Sequence, residues 1–98
     1  MSAVSARHIH VSGVVQGVGF RPFIYGLARR YALTGWVMNT SSGVEIEVQG
    51  GDGALDAFTR AITAEAPPLS RVERVTVRSA QANGAATFEI RHSAAQAG

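Results

Sequence analysis

The chain has 98 residues, 46% hydrophobic and 16% charged, with no cysteine and a net charge of +2. Those values exclude a disordered chain, a disulfide framework, a thiol nucleophile and a thiolate metal site, and they suit one domain with a single core. Every basic residue is an arginine and they are spread along the chain, so a pI near 9.9 says little about nucleic acid.

Met1 to Arg7 lacks the apolar run of a signal peptide and no stretch reaches membrane-spanning length, so a soluble cytoplasmic protein is expected. Residues 1–6 read as a flexible N-terminus, 7–92 as the domain, and 93–98 as a flexible tail or the start of a linker.

His8 to Val15 alternates as a strand, with Ile9, Val11 and Val15 on one face and His8, His10 and Ser12 on the other. A turn holding Gly17 and Gly19 leads into a helix predicted over Pro22 to Tyr31. Pro22 suits a first helical position, which places Arg21 at or beside the N-cap. Phe20, Phe23, Ile24, Leu27, Ala28 and Tyr31 form its apolar stripe. Gly35 ends that segment, and Trp36 to Asn39 reads as a short strand. The turn Thr40 to Gly43 joins it, hairpin fashion, to a strand with Val44, Ile46 and Val48 inward and Glu45, Glu47 and Gln49 outward. Asp52 is the expected N-cap of a second helix that buries Leu55, Phe58 and Ile62 and stops before Pro67. Arg71 to Arg78 forms a fourth strand with Val75 and Val77 inward. A turn centred on Asn83-Gly84 then precedes a short strand, Thr87 to Arg91, that buries Phe88 and Ile90.

The order is β-α-β-β-α-β with a small extra strand. It packs as a ferredoxin-like α+β sandwich, an antiparallel or mixed sheet with two helices on one face. A right-handed crossover makes the first two strands run in the same direction, so both end at the same edge of the sheet. The glycine turn and Asn39 are thereby brought together.

That turn has the ingredients of an anion cradle. Glycine tolerates positive φ and lets an oxyanion approach the backbone, and a helix start offers amides without partners. The main-chain donors are those of Gln16, Gly17, Val18, Gly19 and Phe20, and Arg21 adds a planar fork matched to two phosphate oxygens. A plain strand-to-helix connection with a solvated Arg21 would use the same residues. The convergence with Asn39 favours the cradle.

Gly13-Val14-Val15-Gln16-Gly17-Val18-Gly19-Phe20-Arg21, followed by Leu33-Thr34-Gly35-Trp36-Val37-Met38-Asn39, resembles the acylphosphatase family. The resemblance runs over nearly the whole chain and is strongest over residues 13–50. It implies that Arg21 binds the phosphoryl group with the loop amides, that Asn39 holds the attacking water, and that no metal or cofactor takes part. Phe20-Arg21-Pro22-Phe23 and Ala66-Pro67-Pro68-Leu69-Ser70-Arg71-Val72 look like the N-terminal domain of the carbamoyltransferase that matures nickel–iron hydrogenases. That likeness implies acyl or carbamoyl phosphate as substrate and further domains of a larger maturation protein as partners. A free-standing acylphosphatase and a non-catalytic module that binds a phosphate-bearing metabolite remain the alternatives.

Other constellations read as structural. His8 and His10 could meet His92 around a metal, but a plain sheet face explains them better. Glu45 and Glu47 have the period of a solvated strand face, and Phe20, Phe23 and Phe58 that of a core. An RNA-binding version of the fold needs exposed aromatics on its central strands, and Val44 to Gln49 offers none. Neither nucleic acid nor membrane is an expected partner.

Overall fold

A computed structural model describes residues 4–91. Seven elements follow in order: β1 (Ser5–Val14), α1 (Phe20–Arg30), β2 (Thr34–Thr40), β3 (Gly43–Gly50), α2 (Asp52–Ala64), β4 (Arg71–Ala80) and β5 (Phe88–Arg91). The strands form one sheet in the order β4-β1-β3-β2-β5. β3 runs antiparallel to both β1 and β2, while β5 runs parallel to β2. The expected ferredoxin-like sandwich is the one observed, and its sheet is mixed.

The core lies between one sheet face and the two helices. Ile9, Val11, Val37, Val44, Ile46 and Val48 supply the sheet side, and Phe20, Ile24, Leu27, Leu55, Phe58 and Ile62 the helix side, all buried. Burying each of these larger side chains stabilises the fold by roughly 1.5–3 kcal/mol before the entropy of ordering is counted.

Several boundaries differ from the sequence expectation, each for a local reason. Ser5 and Ala6, counted with the flexible end, pair with Gly50 and Gln49 in the β1–β3 ladder. α1 starts at Phe20 rather than Pro22, because Gly19 takes the cap in the left-handed region (φ 77, ψ 21). Pro22 becomes the third helical residue, still within the first turn, where an amide would have lacked a helical acceptor. The helix ends before Gly35: Ala32 takes the left-handed conformation (φ 55), and the Leu33 amide returns to the Ala28 carbonyl at 2.8 Å. Gly35 instead lies inside β2, opposite Val48. Gly51 caps α2 and Asp52 is its first residue, where its charge favours the helix dipole.

Three side chains depart from their predicted burial. Val77 opposes the buried Ile9 and so lies on the core face, but β4 is an edge strand and Val77 is 41% exposed. Ile90 on the other edge is 43% exposed. Gln49, predicted outward, is buried. The segment 81–87 must carry the chain from one edge of the sheet to the other, four strand spacings or roughly 19 Å. It crosses over Gln49, which donates from Nε2 to Asn83 Oδ1 and accepts from the Asn83 amide at 3.1 Å. A polar group covered in this way needs partners, and both ends of the carboxamide have them.

Candidate active site at one end of the sheet

Because β1, β2 and β5 share a direction, their C-terminal ends meet at one end of the sheet. There the chain places the glycine turn, Asn39 and the end of β5. Gly17 (φ 73) and Gly19 (φ 77) are both left-handed, and a side-chain carbon at either would meet no described residue within 4 Å. Conformation, rather than space, selects glycine here, and the concavity stays open. Among the described residues no side chain caps α1, so the first amides of the helix keep no side-chain acceptor beside that space.

Val15, Gly17, Gly19, Phe20, Arg21, Pro22 and Asn39 line a cleft of about 210 Å³. Phe20 is buried beneath it, edge-on to Phe23 at 5.4 Å between ring centres. Arg21 is half-buried, and among the described residues its one hydrogen bond runs from Nη1 to the Arg91 carbonyl at 3.3 Å. That long bond leans the guanidinium on the end of β5 and leaves most of its donors uncommitted. Asn39 sits on β2 opposite Val44, and its Oδ1 is buried with no partner among the described residues. A buried carboxamide oxygen left unpaired costs on the order of 1–3 kcal/mol, so it is a place where a donor such as water is wanted.

Two of the residues grouped with the cradle by sequence send their side chains away from this cleft. Gln16 lines a neighbouring one with Gly13, Val14, Val15, Ser41, Ser42 and Gly43, and its side chain turns to the β2–β3 hairpin. Val18 packs toward the core. The Arg91 carbonyl beside Arg21 was not anticipated, because a main-chain acceptor leaves no trace in residue type. Only the parallel placement of β5 brings it there.

On the opposite sheet face, His8 and His10 both hydrogen-bond the Glu45 carboxylate, and His8 Nδ1 lies 3.4 Å from Glu47 Oε1. Burial pushes the Glu45 carboxyl up, but the two histidine bonds prevail and hold it below its ordinary range. Trp36 is edge-on to His8, and the Arg91 guanidinium lies 4.9 Å from the Trp36 ring centre. Among the described residues no group of three or more histidines and carboxylates is arranged to hold a metal, and His92 lies outside them. No described helix is long and apolar enough to cross a membrane.

The acylphosphatase family model matches residues 7–90. The chain belongs to the acylphosphatase family. It is similar to the carbamoyltransferase HypF2 of Cupriavidus necator, 54% identical over 67 residues that make up 68% of this chain and 8% of that protein. It is also similar to the acylphosphatase of Pediococcus pentosaceus, 46% identical over 77 residues, 78% of this chain and 86% of that one. Among solved structures, full-length HypF in its phosphate- and nucleotide-bound form superposes with a TM-score of 0.92 at 41% identity, covering 95% of this chain and 12% of that one. This acylphosphatase-family chain thus spans only 8% to 12% of the length of the curated carbamoyltransferases it matches first.

Proposed function

We propose that the chain hydrolyses the mixed anhydride of an acyl or carbamoyl phosphate, with carbamoyl phosphate the substrate where the domain is part of a hydrogenase-maturation carbamoyltransferase. The observation that carries this reading is a cleft that Asn39 lines together with Arg21 and two left-handed glycines, the buried Asn39 Oδ1 having no partner among the described residues. The family match, and the likeness to proteins named both acylphosphatase and carbamoyltransferase, support it.

The phosphoryl group would rest on the amides of Gln16 to Phe20, with the Arg21 fork on its equatorial oxygens, where charge gathers in the transition state. Asn39 would take one hydrogen of a water at Oδ1 and direct the water oxygen in line at phosphorus. The new P–O bond forms as the bond to the acyl oxygen breaks, and the bonding pair leaves as a carboxylate or carbamate. Such a leaving group is a weak base and needs no general acid. The carboxamide is no base either, so the water's proton passes to a phosphoryl oxygen.

The test is orthophosphate release by the purified chain, in chelator-containing buffer, from carbamoyl phosphate and acetyl phosphate side by side. Turnover of both is expected. A folded preparation that releases none from either, yet is protected against heat by phosphate, would make the cradle a binding module instead.

A further inference from the structure

We infer that the Gln16 side chain is a positioning strut, which sets the distance between the phosphate cradle and Asn39. The inference rests on the hydrolytic reading above and assigns the carboxamide of Gln16 a task separate from its main-chain amide.

Gln16 stands at the start of the glycine turn, exposed, where its side chain is free to sit in solvent. It instead donates from Nε2 to the carbonyls of Thr40, at 2.5 Å, and Gly43, at 2.8 Å. A primary amide has two N–H groups, and both are used. Their acceptors are the last paired residues of the β2–β3 ladder, on either side of the Ser41-Ser42 tip. Among the described residues these two bonds are the only hydrogen bonds joining the turn to the hairpin.

The body of the hairpin is held on both edges, by β1 along β3 and by β5 along β2 as far as Met38. A side-chain carbon on Gly43 (φ 148) would lie 2.1 Å from the Val11 carbonyl oxygen, so the base of the hairpin is pressed directly against β1. Gln16 adds a tie beyond that pairing, at the end of the hairpin that carries Thr40 and Gly43. Thr40 Oγ1 also reaches the Gly43 carbonyl at 3.5 Å and accepts from the Ser42 amide at 3.3 Å, which keeps the tip compact.

Asn39 immediately precedes Thr40, and its own Oδ1 has no partner among the described residues to hold it. Its place is therefore set by the main chain it hangs from. A strut on the next carbonyl fixes that main chain relative to the cradle, where the phosphoryl group would sit. Misplacing a nucleophile by about 1 Å costs up to about 10²-fold in rate, whereas the cradle itself is untouched by such a shift.

Gln16→Met keeps the length of the side chain and removes both donors. It is expected to lower kcat for acetyl phosphate by about 10–100-fold while the inhibition constant of inorganic phosphate stays within about threefold. Combined with Asn39→Ala, it should add less than about threefold, because its effect passes through Asn39. Gln16→Asn, one methylene too short to reach both carbonyls, should fall between, and it carries the same readouts if the methionine variant does not fold. A wild-type kcat in Gln16→Met, a loss of phosphate affinity in step with kcat, or full additivity with Asn39→Ala would each overturn the strut. Amide hydrogen exchange across Asn39 to Gly43 should accelerate in Gln16→Met. Unchanged exchange overturns the strut even if the wild-type chain hydrolyses nothing, and inactivity of the wild type overturns only the hydrolytic reading.

Discussion

Arg21 and Asn39 line one cleft but face different parts of the proposed reaction, and substitution should separate them. Arg21→Ala is expected to lower kcat by about 10²–10³-fold and to weaken inhibition by phosphate, since it removes charge stabilisation and anion binding together. Arg21→Lys should not restore either, because one ammonium cannot reproduce a planar fork. Asn39→Ala should lower kcat and leave phosphate inhibition intact. Steady-state kinetics with phosphate as competitor reads all three, and the reverse pattern for Asn39 would exchange the roles. A stability prediction comes from the far end of α1, where Ala32 holds φ 55. Left-handed backbone costs alanine about 1–2 kcal/mol, and glycine returns part of that in the unfolded chain. Ala32→Gly should therefore stabilise by about 0.5–1 kcal/mol, seen as a Tm rise of about 4 °C.

At the scale of elements, β5 does more for the site than its four residues suggest. It seals the β2 edge through Phe88, which is buried against α1 with Tyr25 edge-on at 6.2 Å, and it carries the carbonyl that Arg21 leans on. Phe88→Ala should destabilise by about 3 kcal/mol, and phosphate inhibition of the folded variant should weaken as Arg21 loses its rest. β2 shows a sharper constraint. A side-chain carbon on Gly35 (φ 134) would lie 1.9 Å from the Glu47 carbonyl oxygen across the ladder. Gly35→Ala must push β2 from β3 as well as strain its own backbone, so a loss of about 3 kcal/mol or more is expected in urea unfolding. The strand containing Asn39 would move with it.

For the molecule as a whole, the outer sheet face couples stability to acid. The Glu45 carboxyl is held below its ordinary range in the fold, its partial burial outweighed by the bonds from His8 and His10. A carboxylate more acidic when folded than when unfolded stabilises fully above the unfolded value and loses that contribution as pH falls through the folded one. Urea midpoints should therefore decline below about pH 4.5, and Glu45→Gln should flatten the decline. Equal slopes in both proteins would remove Glu45 from the account. The Glu65 carboxyl is likewise lowered by its bidentate partner Arg30, at 2.8 and 2.9 Å, but that pair stands in solvent and adds little.

Period-two and helical spacing in the sequence determined which elements form, which faces of β1 and β3 meet the helices, and that the glycine turn and Asn39 share one end of the sheet. Those are consequences of side-chain direction and of chain handedness, both local properties. Spacing does not say what lies on top of a face. Val77 and Ile90 point as the pattern requires and are still exposed, because edge strands outrun the helices; Gln49 points away from the core and is buried, because a crossing segment covers it. The acceptors used by Gln16 and Arg21 were beyond the sequence for the same reason. They are main-chain carbonyls of Thr40, Gly43 and Arg91, identical in chemistry to every other carbonyl, and only the packing of β2, β3 and β5 at one end of the sheet makes them particular.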